Sequence, residues 1–335
     1  LNRSTVGLLS QIGYSIILAV SLNLVVGFLG ELSLGHAGFM CVGAYAGCLF
    51  ANFLHTIIDS DLLILIVSMI VGGCVAAFFG FIISLPALRL KGDYLAIVTL
   101  AFGEIVRNIF KNLEVFGGAM GLTTHRFKAS NLFIVSFVVV LIMLFVIQNL
   151  IRSKHGRAIT AIRDNEIAAK AMGINVTFYK LLVFVVSAFF AGLAGVIYGH
   201  YTTPLLSSFF SYNYSIEILV MVVLGGMGSI NGSIIAATLI MLLNSLLQNN
   251  LSGDLAALKY LVYALVLIFM VLFNNAPAFK PLKNKILSFF KNLASKIYKP
   301  RHDPAKIKDD EAKWDVVPTK IKMDEVLSVD LQQNS

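Results

Sequence analysis

Six ionisable side chains lie inside otherwise apolar runs of this sequence: Glu31, His36, Glu104, Arg107, His200 and Glu217. An ionisable group in hydrocarbon costs at least ~2.5 kcal/mol even on insertion scales, so each must face protein or water. Glu104 and Arg107 stand three residues apart, the spacing of neighbours on one helix face, and read first as a structural ion pair. Glu217 is closely flanked by apolar residues in SIEILVMVVLGG, and Glu31, Ser33 and His36 share the run GELSLGHAG. Glu31, Ser33, His36, Glu104 and Glu217 are therefore the candidates for lining a solute path, each weighed against a purely structural role.

Covalent chemistry finds no support in the pattern. His36 and His200 lack an HExxH context, and no Ser/His/Asp arrangement is discernible. GGMGSING sets its third glycine one place too late for a dinucleotide fingerprint, and GGAMGLTTH lacks the lysine of a phosphate-binding loop. The chain reads as no enzyme, with no metal and no cofactor of its own. Cys41, Cys48 and Cys74 fall in apolar segments and suit small buried thiols.

A second kind of chemistry is docking. GRAITAIRDNEIAAKAMGIN, residues 156–175, is polar and Ala-rich between two greasy segments. Asn165 can cap a short helix, Gly173 can end it in a left-handed conformation, and Glu166 and Lys170 stand at i, i+4 in the favourable order. A helix of about two turns is unstable alone and needs a partner to lie in. Arg163, Asn165, Glu166, Ala168, Ala169, Lys170, Met172 and Gly173 are the candidates for that contact. The alternative is an ordinary solvated loop.

The elements that must position these residues are membrane helices. Of 335 residues 58% are hydrophobic and only 13% charged, about half the charge of a soluble domain. Apolar runs of spanning length fall at roughly 6–29, 34–54, 62–85, 94–110, 131–151, 181–201, 212–228, 233–249 and 256–274. The expected fold is all-α and polytopic, with about nine (eight to ten) transmembrane helices, some of them short or Gly-broken. The opening residues run straight into an apolar span, unlike a cleavable signal peptide.

The net charge of +8 does not point to nucleic acid: of 26 Lys and Arg, 12 lie from Lys280 onward and six between Arg152 and Lys180. That distribution places RLKGD (89–93), the 152–180 loop and the C-terminus in the cytoplasm. The domain reading is a permease-like membrane domain over 1–280 and a tail over 281–335. In the tail, Ile286, Phe289, Phe290, Leu293 and Ile297 form the apolar face of a basic amphipathic helix on membrane lipid, followed by a disordered cytosolic extension. The runs 25–47 and 222–241 each place a Gly-rich polar break between apolar stretches, a weak two-fold echo of the kind that marks a midplane pathway. GAYAG, GVIYG and GSING carry the G-x-x-x-G spacing of close helix packing.

Five ordered blocks make the resemblance specific: LNLVVGFLGELSLGHAGFMCVGAYAG, LRLKGDYLAIVTLAFGEIVRNI, FGGAMGLTT, the run from GRAITAIRDNEIAAKAMGIN through GVIYG, and IEILVMVVLGGMGSINGSIIAA. Together they resemble, over roughly residues 15–275, the LivM-type permease subunits of branched-chain amino-acid ABC importers. EIAAKAMG resembles the EAA…G coupling signature of importer permeases, departing by the inserted Ile167 and a glycine one place later. The resemblance implies a multi-pass subunit of the bacterial cytoplasmic (inner) membrane. It further implies a homologous LivH-like second permease, two ATP-binding subunits that hold the ATP and Mg, and an extracytoplasmic solute-binding protein. Leucine, isoleucine and valine are the family's commonest solutes; urea or short amides are the alternative within it. Outside it, the rivals are an ion-coupled secondary transporter using Glu217 or Glu104, and an intramembrane enzyme.

Overall fold

The computed structural model describes residues 3–250 except 59, 88, 89, 91 and 126, together with positions 265 and 268. Those two aside, the ninth apolar run and the tail over 281–335 lie outside the described residues.

Ten helices make up the described part: α1 Arg3–Asn23, α2 His36–Leu54, α3 Asp61–Ala87, α4 Asp93–Asn112, α5 Ala129–Arg152, α6 Lys154–Asp164, α7 Glu166–Ala171, α8 Val176–Tyr201, α9 Tyr212–Gly225 and α10 Ile230–Asn250. The only β pairing among the described residues is one antiparallel bridge between Leu122 and Leu205. The first eight apolar runs of the sequence thus correspond to α1–α5 and α8–α10. Five helices are long and apolar enough to cross a membrane, ending with α5 and α8, and α9 and α10 are shorter apolar helices. This is a polytopic membrane fold.

Burial sorts the helices between core and lipid. In α1, 94% of the apolar window is buried, against 28% in α5. Ile17, Leu18, Ala19 and Leu22 are sealed inside, while Phe137, Leu141, Ile142 and Phe145 of α5 and Phe78 and Ile70 of α3 face outward. An apolar outer surface is what a bilayer solvates without cost. Cys41 and Cys48 are buried as expected, but Cys74 is exposed: it lies on the outer side of α3, where lipid suits a thiol as well as a core does.

With no hydrophobic drive between helices in lipid, close backbone packing does the holding. Around α8 that packing is built from small residues. Gly43 of α2 backs onto Gly192, Gly195 lies against the Met40 carbonyl, Gly72 of α3 abuts the Gly43 carbonyl, and Gly80 meets Ala188. The spacings at 43–47 and 195–199 therefore serve helix crossings. Gly228 and Gly232 do something else: they build the turn of the α9–α10 hairpin, with Gly232 against the Gly225 carbonyl.

Two elements break the simple spanning pattern. α1 continues as one π-helical turn, Leu24–Leu29, stopped by Gly30 at φ 82°. The chain then doubles back without helix, so that His36, the first residue of α2, sits with its Nε2 2.8 Å from Ser21 Oγ. α2 begins part-way along α1. The second break is α9, whose 14 residues measure about 21 Å, short of a ~30 Å hydrocarbon core. The two Gly-rich breaks that echo each other in sequence meet here. Asn23, fully buried, accepts from Gly228 N at 2.9 Å and donates to Ser229 O and Ser233 Oγ at 3.0 and 2.9 Å.

Replacing Gly195 by Val should lower stability by about 1–3 kcal/mol, because a side chain there meets the Met40 carbonyl and Ala44 N. Thermal unfolding of the detergent-purified chain measures it, with Phe78→Leu on the outer surface expected to change nothing comparable.

Candidate functional site

The polar loop between α5 and α8 folds as two short helices because polar side chains punctuate it. Ser153 Oγ accepts from His155 N and Gly156 N to start α6, and Asn165 Oδ1 accepts from Ile167 N and Ala168 N to start α7. Asn175 Oδ1 accepts from Phe178 N, which moves the start of α8 to Val176, five residues before the apolar run begins. Gly173 at φ 80° closes α7, a backbone shape that costs other residues dearly. Each cap satisfies amide donors that a six-residue helix cannot satisfy internally.

Anchoring the loop falls to a buried cation. Lys180, on the first turns of α8, is only 4% exposed, and its Nζ donates to Glu31 Oε1 and, at 3.3 Å, to Glu166 Oε2. Glu166 Oε1 in turn accepts from Lys170 Nζ at 2.9 Å. That hydrogen bond from Lys170 holds the Glu166 carboxyl below its ordinary range, with the charge of Lys180 adding to it against partial burial. The stabilisation from the Glu166 contacts is complete above the ordinary carboxylate pKa of ~4.3 and is lost as pH falls through the lowered value. Arg163 supplies a second strut. Its Nη1 donates to the Gly27 carbonyl in the π turn at 3.1 Å, its Nε and Nη2 hold Asp164, and its alkyl chain lies against Gly30.

The eight loop residues singled out from sequence therefore divide. Asn165 caps, Glu166 and Lys170 pair, and Arg163 spends part of its guanidinium inward on the bundle. Ala169 is 4% exposed and packs inward, so it offers no surface to a partner. Ala168, Lys170, Met172 and Gly173 face outward. Ile167, noted in sequence only as an insertion, is 77% exposed, and Met172 just past the same helix is 82% exposed. A large apolar side chain in an otherwise polar capped helix was the signal for it.

The residues expected along a solute path occupy four neighbourhoods. Glu31 belongs to the Lys180 anchor. Ser33 and His36 are buried in the break before α2, with His36 on Ser21 and Ser187 Oγ donating to the Ser21 carbonyl at 2.7 Å. Glu104 pairs with Arg107 at 2.6 Å, and its Oε1 accepts from Tyr212 N at 3.0 Å, placing a carboxylate at the start of α9 where the helix dipole favours it. Glu217 lines a cavity of about 380 Å³ among α1, α8, α9 and α10, with Gln11, Tyr14, Tyr198, Tyr201 and Asn244. Asn244 Nδ2 reaches Glu217 Oε1 at 3.5 Å, and Gln11 Nε2 donates to Tyr201 Oη at 2.9 Å. Sequence pattern had not gathered these tyrosines, which come from α1 and α8.

Comparison with known proteins adds the family context. A sequence model of the family described as "Branched-chain amino acid transport system / permease component" matches residues 4–271. The chain is 34% identical over 281 residues to the high-affinity branched-chain amino acid transport system permease protein LivM of Salmonella typhimurium, covering 74% of this chain and 64% of that protein. It thus spans under two thirds of that relative's length. A probable LivM of Methanocaldococcus jannaschii is 28% identical over 66% of this chain and 74% of its own. LivH of Salmonella typhimurium is 24% identical over 76% of this chain and 88% of its own.

Lys180→Met should destabilise the chain by about 3–5 kcal/mol, since it leaves two carboxylates facing a buried vacancy. Adding Glu31→Gln and Glu166→Gln should restore much of that loss. Thermal unfolding of the three proteins decides; equal stability of the single variant and the parent would show that the anchor holds nothing.

Proposed function

Because the chain belongs to the family of branched-chain amino acid transport permeases, we propose that it is the membrane subunit of an ATP-driven importer whose ATPase docks on α7. The single observation that carries this reading is the two-sided build of that helix. Ile167 and Met172 project into solvent, while Glu166 and the neighbouring Arg163 tie the loop to α8 and to the π turn of α1. Two exposed apolar side chains at a short helix, with Lys170 and Asp164 also exposed, suit a groove on a partner protein.

In this reading ATP and Mg are bound by partner chains, and this subunit performs no covalent step. Closure of an ATPase dimer displaces α7 as a rigid body, and the displacement enters the bundle through Lys180–Glu31 and Arg163–Gly27. Gly27 abuts Gly228, so the push reaches the α9–α10 hairpin and, one helix length on, the cavity holding Glu217. The proposed assembly has a LivH-like second permease, two ATP-binding subunits and an extracytoplasmic solute-binding protein, in a cytoplasmic membrane with the 152–180 loop inside. Leucine, isoleucine and valine are the proposed solutes, supported by the names of the relatives. The names of those relatives give no support to urea or short amides.

Ile167→Asp with Met172→Asp should cut ATP-dependent leucine uptake in proteoliposomes at least tenfold and reduce co-purification of the ATPase. Both side chains are exposed, so the thermal stability of the isolated chain should stay unchanged. Full uptake by the double variant would sink the docking assignment.

A further inference from the structure

We propose that His55, Asp61 and His125 form a binding site for one divalent transition-metal ion, for which zinc is the best chemical match. The three residues come from separate segments: His55 follows the last turn of α2, Asp61 opens α3, and His125 lies in the loop before α5. One donor atom from each lies within 4.8 Å of the other two, and His125 Nε2 is 3.7 Å from Asp61 Oδ1. Tetrahedral zinc with bonds of ~2.0–2.2 Å sets its donors about 3.3 Å apart, so these need approach by only about 1.5 Å at most. Rotation about side-chain torsions supplies that. Two imidazoles and one carboxylate suit zinc, and a three-residue set leaves the fourth position to water.

The surroundings hold the site in shape. Asn52 donates to the Thr123 carbonyl at 2.8 Å and accepts from His125 N at 3.2 Å, fixing the loop to α2 like a strand. His200 Nδ1 donates to the His125 carbonyl at 3.1 Å, tying the same residue to α8. Phe127 packs edge-on against both His125 and His200. The rings of His55 and His125 already lie close, with centroids 3.9 Å apart and planes tilted by 37°. All three ligands retain access to solvent: His55 is exposed, and the side chains of the other two are exposed by about a third. A metal can enter without opening the bundle.

Location gives the site its consequence. Lys180 and His200 lie twenty residues apart on α8, about 30 Å along the helix. The site therefore sits at the end of the bundle opposite α7, where a metal would clamp the α2–α3 turn to the loop before α5. This inference stands whether or not the transport reading holds.

The test is zinc and cobalt titration of the full detergent-purified chain after chelator treatment. One equivalent of zinc per chain is expected, with a visible cobalt spectrum typical of tetrahedral nitrogen and oxygen ligation and a rise in unfolding temperature on adding zinc. His55→Ala, Asp61→Asn and His125→Ala should each weaken zinc binding at least tenfold. Asn52→Ala, which frees the loop without removing a ligand, should weaken it by about 10–100-fold. His155→Ala on α6 should bind as the parent does. Asp61→Asn keeps the shape of the first turn of α3, so it decides the matter if a histidine variant misfolds. Absence of stoichiometric binding, or equal zinc affinity in parent and Asp61→Asn, would overturn the site and leave a close histidine pair beside a carboxylate.

Discussion

The ammonium of Lys180 is the joint on which this molecule turns. It is buried where α8 enters the bundle, and burying a lone cation costs several kcal/mol unless carboxylates surround it. Glu31 and Glu166 do so from opposite sides, one belonging to the break after α1 and the other to α7. Losing either carboxylate leaves the buried ammonium with a single partner and weakens its compensation. The polar loop is therefore bound to the membrane helices by a constraint that resists separation, beside the apolar contacts of Ile159, Ile162 and Ala169. Arg163 repeats the device a few ångströms away through the Gly27 carbonyl.

That joint meets the bundle at its least regular place. The π turn Leu24–Leu29 and the unwound residues after Gly30 would leave backbone groups unsatisfied in lipid, which tolerates irregular chain only inside protein. Asn23, Thr99 and Arg163 take up that duty: Asn23 clamps the α9–α10 turn, Thr99 Oγ1 accepts from Leu34 N at 3.0 Å, and Arg163 caps Gly27. A π turn is a local excess of one residue that can migrate at low cost, and such turns favour working regions of helices. Here it stands between the loop that would receive a push and the hairpin whose far side lines the Glu217 cavity.

How much of this could be read from the sequence depends on the distance over which each interaction acts. Asn165 as a cap, Gly173 as a stop, and the pairs Glu166–Lys170 and Glu104–Arg107 were all legible, because helix geometry alone brings residues three or four apart together. The helices themselves were legible from hydropathy. What stayed hidden joins residues far apart in the chain: Lys180 with Glu31, Asn23 with Gly228, Glu104 with the amide of Tyr212. Nothing in local pattern distinguishes Glu31, which meets a lysine, from Glu217, which meets tyrosines and an asparagine. The inward turn of Ala169 was hidden for a different reason. On a helix of six residues nearly every position borders both faces, so small side chains carry no stripe from which to read orientation.

A short helix fit to transmit force must satisfy two demands that pull against each other. It must be rigid, yet six residues hold too few hydrogen bonds to be rigid alone. It must also expose apolar surface to a partner, which removes the burial that would otherwise stabilise it. The loop meets both by moving its stability elsewhere. Caps at Ser153, Asn165 and Asn175 satisfy the amides, and charge pairing to buried Lys180 adds to the anchoring by Ile159, Ile162 and Ala169. Ile167 and Met172 are then free to stay in water until something covers them. A solvated connector has no use for a buried lysine at its base, nor for two large apolar side chains held outward on a capped helix. The combination fits the proposed role, in which the helix is gripped from one side and holds on from the other.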